Sequence, residues 1–157
     1  MPNLLIIYDS KTGYTENMAK KIIEGTKSVK GITVSSTKLD YTSSPNILEN
    51  ADIVAIGSPS HNGNVTLEML VFLANIKQAI DLGRLKVDKK IGFAFGSYSW
   101  DGGLCIEKLH EEIKKLGFKM SEKTLAQVNP IPDSSSETQF LKECYETGIN
   151  LAKLAFS

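Results

Sequence analysis

Residues 4–15 read Leu4-Leu5-Ile6-Ile7-Tyr8-Asp9-Ser10-Lys11-Thr12-Gly13-Tyr14-Thr15, a short apolar run that breaks into a hydroxyl-rich loop. An unalternating run of this length predicts a strand buried on both faces, as strands of a parallel sheet are. Behind the loop, Met18, Ile22, Ile23 and Val29 recur near the helical period and predict a helix lying on that strand. Strand, tight loop and helix form the first βα unit.

The same alternation runs through the chain. Ile32 to Thr37 predicts a short second strand, Ser44 to Leu48 a brief helix with proline at its first position, and Asp52 to Gly57 a third strand. Leu67, Leu70, Leu73, Ile76 and Ile80 space a helix that leads to a fourth strand, Lys90 to Gly96. Leu109, Ile113 and Leu116 mark the next helix, with Gly117 as a left-handed cap. Phe118 to Met120 and Leu125 to Val128 read as two halves of a fifth strand, broken by Ser121-Glu122-Lys123. Ser134-x-x-Glu137 has capping-box spacing and opens a last helix presenting Phe140, Leu141, Cys144, Leu151 and Leu154 to the core. Right-handed crossovers between parallel strands make this an α/β, three-layer, doubly wound domain of five strands.

Composition narrows the function. The 157 residues suit a single domain spanning residues 1–157. Eighteen Lys plus Arg balance eighteen Asp plus Glu, so no whole-protein field draws in nucleic acid or an anionic membrane. Apolar stretches fall far short of the roughly 20 residues that span a bilayer, and no basic segment with a secretory apolar run opens the chain. A cytoplasmic location is expected. Cys105 and Cys144 lack C-x-x-C spacing and read as buried, inert thiols, and no metal site is expected.

Ligands of doubly wound sheets bind beyond the carboxyl ends of the strands, which singles out three loops. Ser10, Lys11, Thr12, Gly13, Tyr14 and Thr15 combine hydroxyls and a glycine before a helix N-terminus, a composition suited to phosphate. Neither G-x-G-x-x-G after the first strand nor G-x-x-x-x-G-K-[ST] anywhere is present, which disfavours dinucleotide binding and nucleoside triphosphate hydrolysis. The second loop, Gly57-Ser58-Pro59-Ser60-His61-Asn62-Gly63-Asn64, is long for a βα connection. The third, Gly96-Ser97-Tyr98-Ser99-Trp100-Asp101-Gly102-Gly103, sets the only tryptophan two residues from a tyrosine, a pair placed to contact a flat ligand. A phosphate cradle, a polar rim and two aromatic rings suit a planar heterocycle carrying one phosphate, the shape of flavin mononucleotide (FMN).

The S-x-T-G-x-T pattern at Ser10 to Thr15 resembles the flavodoxin family at the place where that family binds the FMN phosphate. The likeness covers the whole chain, and the segments Gly57 to Ser60 and Phe95 to Trp100 are similar to the flavodoxin domain of flavodiiron proteins. It implies a short-chain flavodoxin with strand order 2-1-3-4-5, FMN as cofactor, and no catalytic residue of its own. By that resemblance Ser10 to Thr15 hold phosphate. Pro59, Ser60, His61, Asn62 and Gly63 line one side of the isoalloxazine, and Ser97, Tyr98, Ser99, Trp100, Asp101, Gly102 and Gly103 line the other.

The implied activity is low-potential electron transfer through semiquinone and hydroquinone states, with redox protein donors and acceptors such as reductases and oxidoreductases, and a monomeric chain. Asn62-Gly63 is the dipeptide expected to control the one-electron state, since glycine tolerates positive φ and lets the preceding peptide reorient. His61 would add pH dependence near pH 6.5. Lys11 either neutralises the phosphate or points into water, and His110 is expected to face solvent. Other readings are an FMN-dependent NAD(P)H:quinone oxidoreductase, an electron-donor module of a flavodiiron system, which without an H-x-E-x-D set would hold no iron itself, and a flavin-free interaction domain.

Overall fold

The computed structural model describes residues 1–121 and 123–157. The order is β1 (Asn3–Tyr8), α1 (Tyr14–Lys27), β2 (Thr33–Lys38), a 3-10 turn (Pro45–Leu48), β3 (Ile53–Gly57), α2 (Leu67–Asp81), β4 (Ile91–Tyr98), α3 (Leu104–Lys115), β5 (Lys119–Met120), β6 (Leu125–Val128) and α4 (Ser135–Leu154). All pairings between these strands are parallel, in the order β2-β1-β3-β4-β5, with β6 continuing beside β4. The expected topology and its split fifth strand are therefore present; Glu122, part of the expected break, lies outside the described residues.

Alternation along the central strands divides the core. Leu4, Ile6, Ile53, Ala55, Phe93 and Phe95 face α1 and α4, where Met18, Ile22, Phe140, Cys144 and Leu151 close one layer. Leu5, Ile7, Val54, Ile56 and Ala94 face α2 and α3, meeting Met69, Phe72, Ile76, Ile106, Leu109 and Ile113. Both cysteines are buried, and loss of water pushes the Cys144 thiol up to about 12, so it stays protonated.

Several local expectations are corrected. Helix α2 turns Met69, Phe72, Ile76 and Ala79 inward, leaving Leu67 and Leu70 exposed at 61% and 51%. The alternative stripe has bulkier aromatic and sulfur-containing side chains, and the pattern of leucines alone does not reveal that choice. Val29 lies past the end of α1. The capping box of α4 does not form: the Ser134 hydroxyl donates to the Ile131 carbonyl instead of accepting from the helix. His110 is half-buried, and its Nδ1 has no hydrogen-bond partner among the described residues. Leu154, expected in the core, is 36% exposed.

Helices α1 and α4 approach so closely that only glycine fits between them. A Cβ on Gly25 would stand 2.0 Å from the Tyr145 carbonyl oxygen, and one on Gly148 would stand 2.1 Å from that of Ile22. The Thr26 hydroxyl donates to the carbonyls of Ile22 and Gly148 across this contact. Gly148→Ala is expected to cost about 1–3 kcal/mol through overpacking. Urea unfolding measures it, and a loss below about 0.5 kcal/mol, the usual effect of an unconstrained surface change, would contradict the contact.

Candidate functional site

Asp9 and Ser10, immediately after the first strand, are both buried. Gly13, at φ 97°, takes a left-handed turn that L residues rarely adopt and delivers the chain into α1. A Cβ built on Gly13 meets nothing within 4 Å, so the turn opens outward. The Ser10 hydroxyl accepts from the N–H groups of Gly13 at 3.2 Å and Glu16 at 3.3 Å. The N–H groups of Thr12, Tyr14 and Thr15 find no acceptor among the described residues. Together with the helix dipole they form an open anion cradle.

Side chains tie this cradle to the other two loops. Thr15 Oγ1 and Ser97 Oγ lie 2.9 Å apart, both buried, joining the first turn of α1 to the end of β4. The Ser60 N–H donates to the Ser97 carbonyl at 2.8 Å, and the Ser60 hydroxyl donates to Asp101 Oδ2. Asp101 in turn accepts from the N–H groups of Gly103 at 2.9 Å and Cys105 at 3.2 Å, capping α3. Burial alone would raise the Asp101 carboxyl; the Ser60 hydroxyl, these two N–H groups and Lys108 outweigh it and hold the group below its ordinary range. Beneath the second loop, a Cβ on Gly96 would stand 2.0 Å from the Ser58 carbonyl, so the close approach of loop to strand requires glycine there.

The second loop ends in a tight hairpin. His61 and Asn64 exchange backbone hydrogen bonds of 2.6 and 3.1 Å, while Asn62 and Gly63 take φ of 54° and 80°. Positive φ at both central residues is the signature of a type I′ turn, for which Asn-Gly is the preferred pair. Trp100 is 73% exposed and lies against this turn, its Cη2 3.8 Å from where a Gly63 Cβ would sit. Tyr98 is half-buried at the end of β4, and its ring edge is 3.6 Å from the corresponding point on Gly103.

The three loops singled out in the sequence thus stand at one edge of the sheet. Ser10, Gly13, Thr15, Ser60, Ser97, Asp101 and Gly103 are bound into a single network or hold its turns. Thr12, His61, Asn62, Ser99, Trp100 and Gly102 are exposed, Tyr14, Pro59, Gly63 and Tyr98 are half-buried, and Cys105 sits beneath the Ser60–Asp101 contact. The Lys11 side chain is 44% exposed, and its ammonium lies 2.8 Å from Glu68 Oε2 and 3.4 Å from Asp9 Oδ2. Asp9 and Glu68 were not recognised from sequence, because no spacing rule connects the end of one strand to the first turn of a helix 59 residues later. A cleft of about 800 Å³ lies elsewhere, between the broken fifth strand and α4, lined by Ile91, Phe93, Leu125 and Leu151.

Asp101→Ala is expected to lower stability by about 1–2 kcal/mol, the usual cost of a lost cap. The folded Asp101 pKa lies below its unfolded value, so its contribution is present above the ordinary aspartate range and fades as pH falls through the folded value. The stability gap between wild type and variant, measured by urea unfolding from pH 7 downward, should shrink with acidification. A gap independent of pH would remove the carboxylate from the network.

Comparison with known proteins places the chain in a family. The sequence profile described as Flavodoxin matches residues 6–146. A flavodoxin of Clostridium beijerinckii is 32% identical over 153 residues, covering 95% of this chain and 99% of that one. An uncharacterized protein of Methanocaldococcus jannaschii is 36% identical over 155 residues, covering 97% of this chain but only 36% of its own length. The crystal structure of the flavodiiron protein from Giardia intestinalis carries the same fold with a TM-score of 0.79, over 98% of this chain and 36% of that one; at 21% identity it supports the fold alone. The chain belongs to the flavodoxin family.

Proposed function

We propose that the chain binds FMN non-covalently at this edge and carries electrons between redox proteins. The observation that carries the reading is the open turn at α1, whose N–H groups without acceptors among the described residues stand on the same edge of the sheet as an Asn-Gly hairpin and an exposed tryptophan. Those residues fit the group: the donors suit a phosphate dianion, and the space beyond Gly13 leaves room for it. Bound FMN would supply the one-electron chemistry itself. Ser10, Thr12, Gly13, Tyr14 and Thr15 would hold its phosphate. The hairpin of His61 to Asn64 together with Tyr98 and Trp100 would line the place of the ring.

The protein's own contribution is control. Asn62 and Gly63 already occupy positive φ, so their shared peptide presents its N–H and carbonyl at the tip of a two-residue turn, next to Trp100. Its orientation sets which flavin protonation state is favoured. Balanced charge overall implies that docking to a partner draws on local contacts more than on long-range steering. Among the described residues no helix is long and apolar enough to cross a membrane. Residues 1–157 as one domain, a monomeric state and a cytoplasmic setting belong to the same proposal. The chain spans about a third of the length of the M. jannaschii and Giardia proteins, which favours a second reading: an electron-delivering unit that works with a larger redox protein.

The test is anaerobic titration of the purified chain with FMN, followed by stepwise reduction. Trp100 is the only tryptophan, so bound flavin is expected to quench its emission as the visible flavin bands appear. Absence of flavin binding would reject the reading, and sustained NADH or NADPH oxidation with a quinone would favour an oxidoreductase. Gly63→Ala places a Cβ at φ 80° and is expected to change the yield of the one-electron form. An unchanged yield would remove the hairpin from that role.

A further inference from the structure

Lys11 is the only basic residue between Asp9 and Thr15, and its side chain is paired with an acid on another element. It reaches the start of α2, where Glu68 Oε2 accepts from its ammonium at 2.8 Å, and it passes Asp9 Oδ2 at 3.4 Å. The Asp9 side chain is 3% exposed, and Oδ2 accepts no hydrogen bond from the described residues. Among the described residues, Lys11 is thus the cation that lies within salt-bridge distance of this buried carboxylate oxygen. The Lys11 hydrogen bond foremost, then the Asp9 carboxyl, the Glu68 backbone N–H and the Tyr41 hydroxyl, pull the Glu68 carboxyl down to about 2, so Glu68 is charged at any working pH. Glu16, the other acid near the cradle, has its own partners in Lys20 at 3.8 Å and Lys38 at 3.9 Å.

Resting on the proposed FMN site, we infer that Asp9, Lys11 and Glu68 form a charge device that sets how strongly the chain prefers a phosphorylated flavin over the same flavin without phosphate. Within this group Lys11 contributes +1 and Glu68 −1. Removing the Lys11 charge makes the group one unit more negative beside an incoming phosphate dianion, and removing the Glu68 charge makes it one unit more positive. An uncharged ribityl chain is indifferent to this sum, whereas a dianion held in the adjoining turn feels it. Lys11 and Glu68 are positioning and specificity residues that act through the field, without needing to touch the phosphate.

The group charge predicts an order. Lys11→Met makes it one unit more negative, Glu68→Gln makes it one unit more positive, and the double variant restores the wild-type sum. FMN and riboflavin dissociation constants are measured for all four proteins at low salt by quenching of Trp100. The FMN-to-riboflavin preference is expected to fall about tenfold in Lys11→Met, to rise several-fold in Glu68→Gln, and to return near wild type in the double variant. Added salt should compress these differences.

A clamp that merely tied α1 to α2 would act differently: both single variants would weaken both ligands, and the double variant would recover nothing. That outcome, or a preference unchanged across the four proteins, overturns the inference while leaving FMN binding intact. Failure of wild type to bind either flavin overturns the functional reading and the inference with it.

Discussion

The hydrogen bond between Thr15 Oγ1 and Ser97 Oγ, 2.9 Å and buried, is the point on which the site depends. Thr15 belongs to the first turn of α1 and Ser97 to the end of β4, on either side of β3 in the sheet. The parallel pairing of β1, β3 and β4 brings their carboxyl ends together, and this contact fixes how two of the three connections meet. Ser60 then joins through the Ser97 carbonyl and Asp101, so the helix that offers its N–H groups and the loops beside it share one frame. Buried polar groups satisfied in this way specify a single arrangement, because each would be costly if left alone.

That frame explains the division of labour along the edge. Residues that hold the geometry are buried or half-buried and internally satisfied: Ser10, Thr15, Ser97 and Asp101. Groups suited to meeting a ligand are open: the N–H groups of Thr12 and Tyr14, the Asn62-Gly63 turn and the Trp100 ring. Around the same edge, Leu67, Leu104, Val128 and Ile131 are exposed apolar side chains on elements that begin or end there.

Much of this was legible in the sequence, for identifiable reasons. Leu4 to Ile7 are buried on both faces as an unalternating run requires, and Gly117 takes the left-handed φ its place after a helix implies. Asn62-Gly63 announces a two-residue turn because few other pairs accept positive φ twice. What stayed hidden depends on contacts between segments distant in sequence. The spacing locates α2 but not its whole buried face: Ile76 is in the core with Leu73 and Ile80 packed against it, whereas Met69 and Phe72 rather than Leu67 and Leu70 complete that face. Ser134 looks like a cap by spacing, but its hydroxyl is taken by Ile131. The partners of Lys11 lie on another element, and a single basic residue in a polar loop carries no mark of where it points.

The central claim is that the α1 turn, the hairpin and the Trp100 loop act as one flavin-binding edge. Amide chemical-shift mapping of the labelled chain during titration with FMN tests it most directly. The account predicts the largest changes at Thr12 to Thr15, His61 to Asn64 and Tyr98 to Gly103, saturating together at one dissociation constant. Changes centred on Ile91, Phe93 and Leu125 in the cleft beside α4, or separate saturation of the three loops, would contradict it.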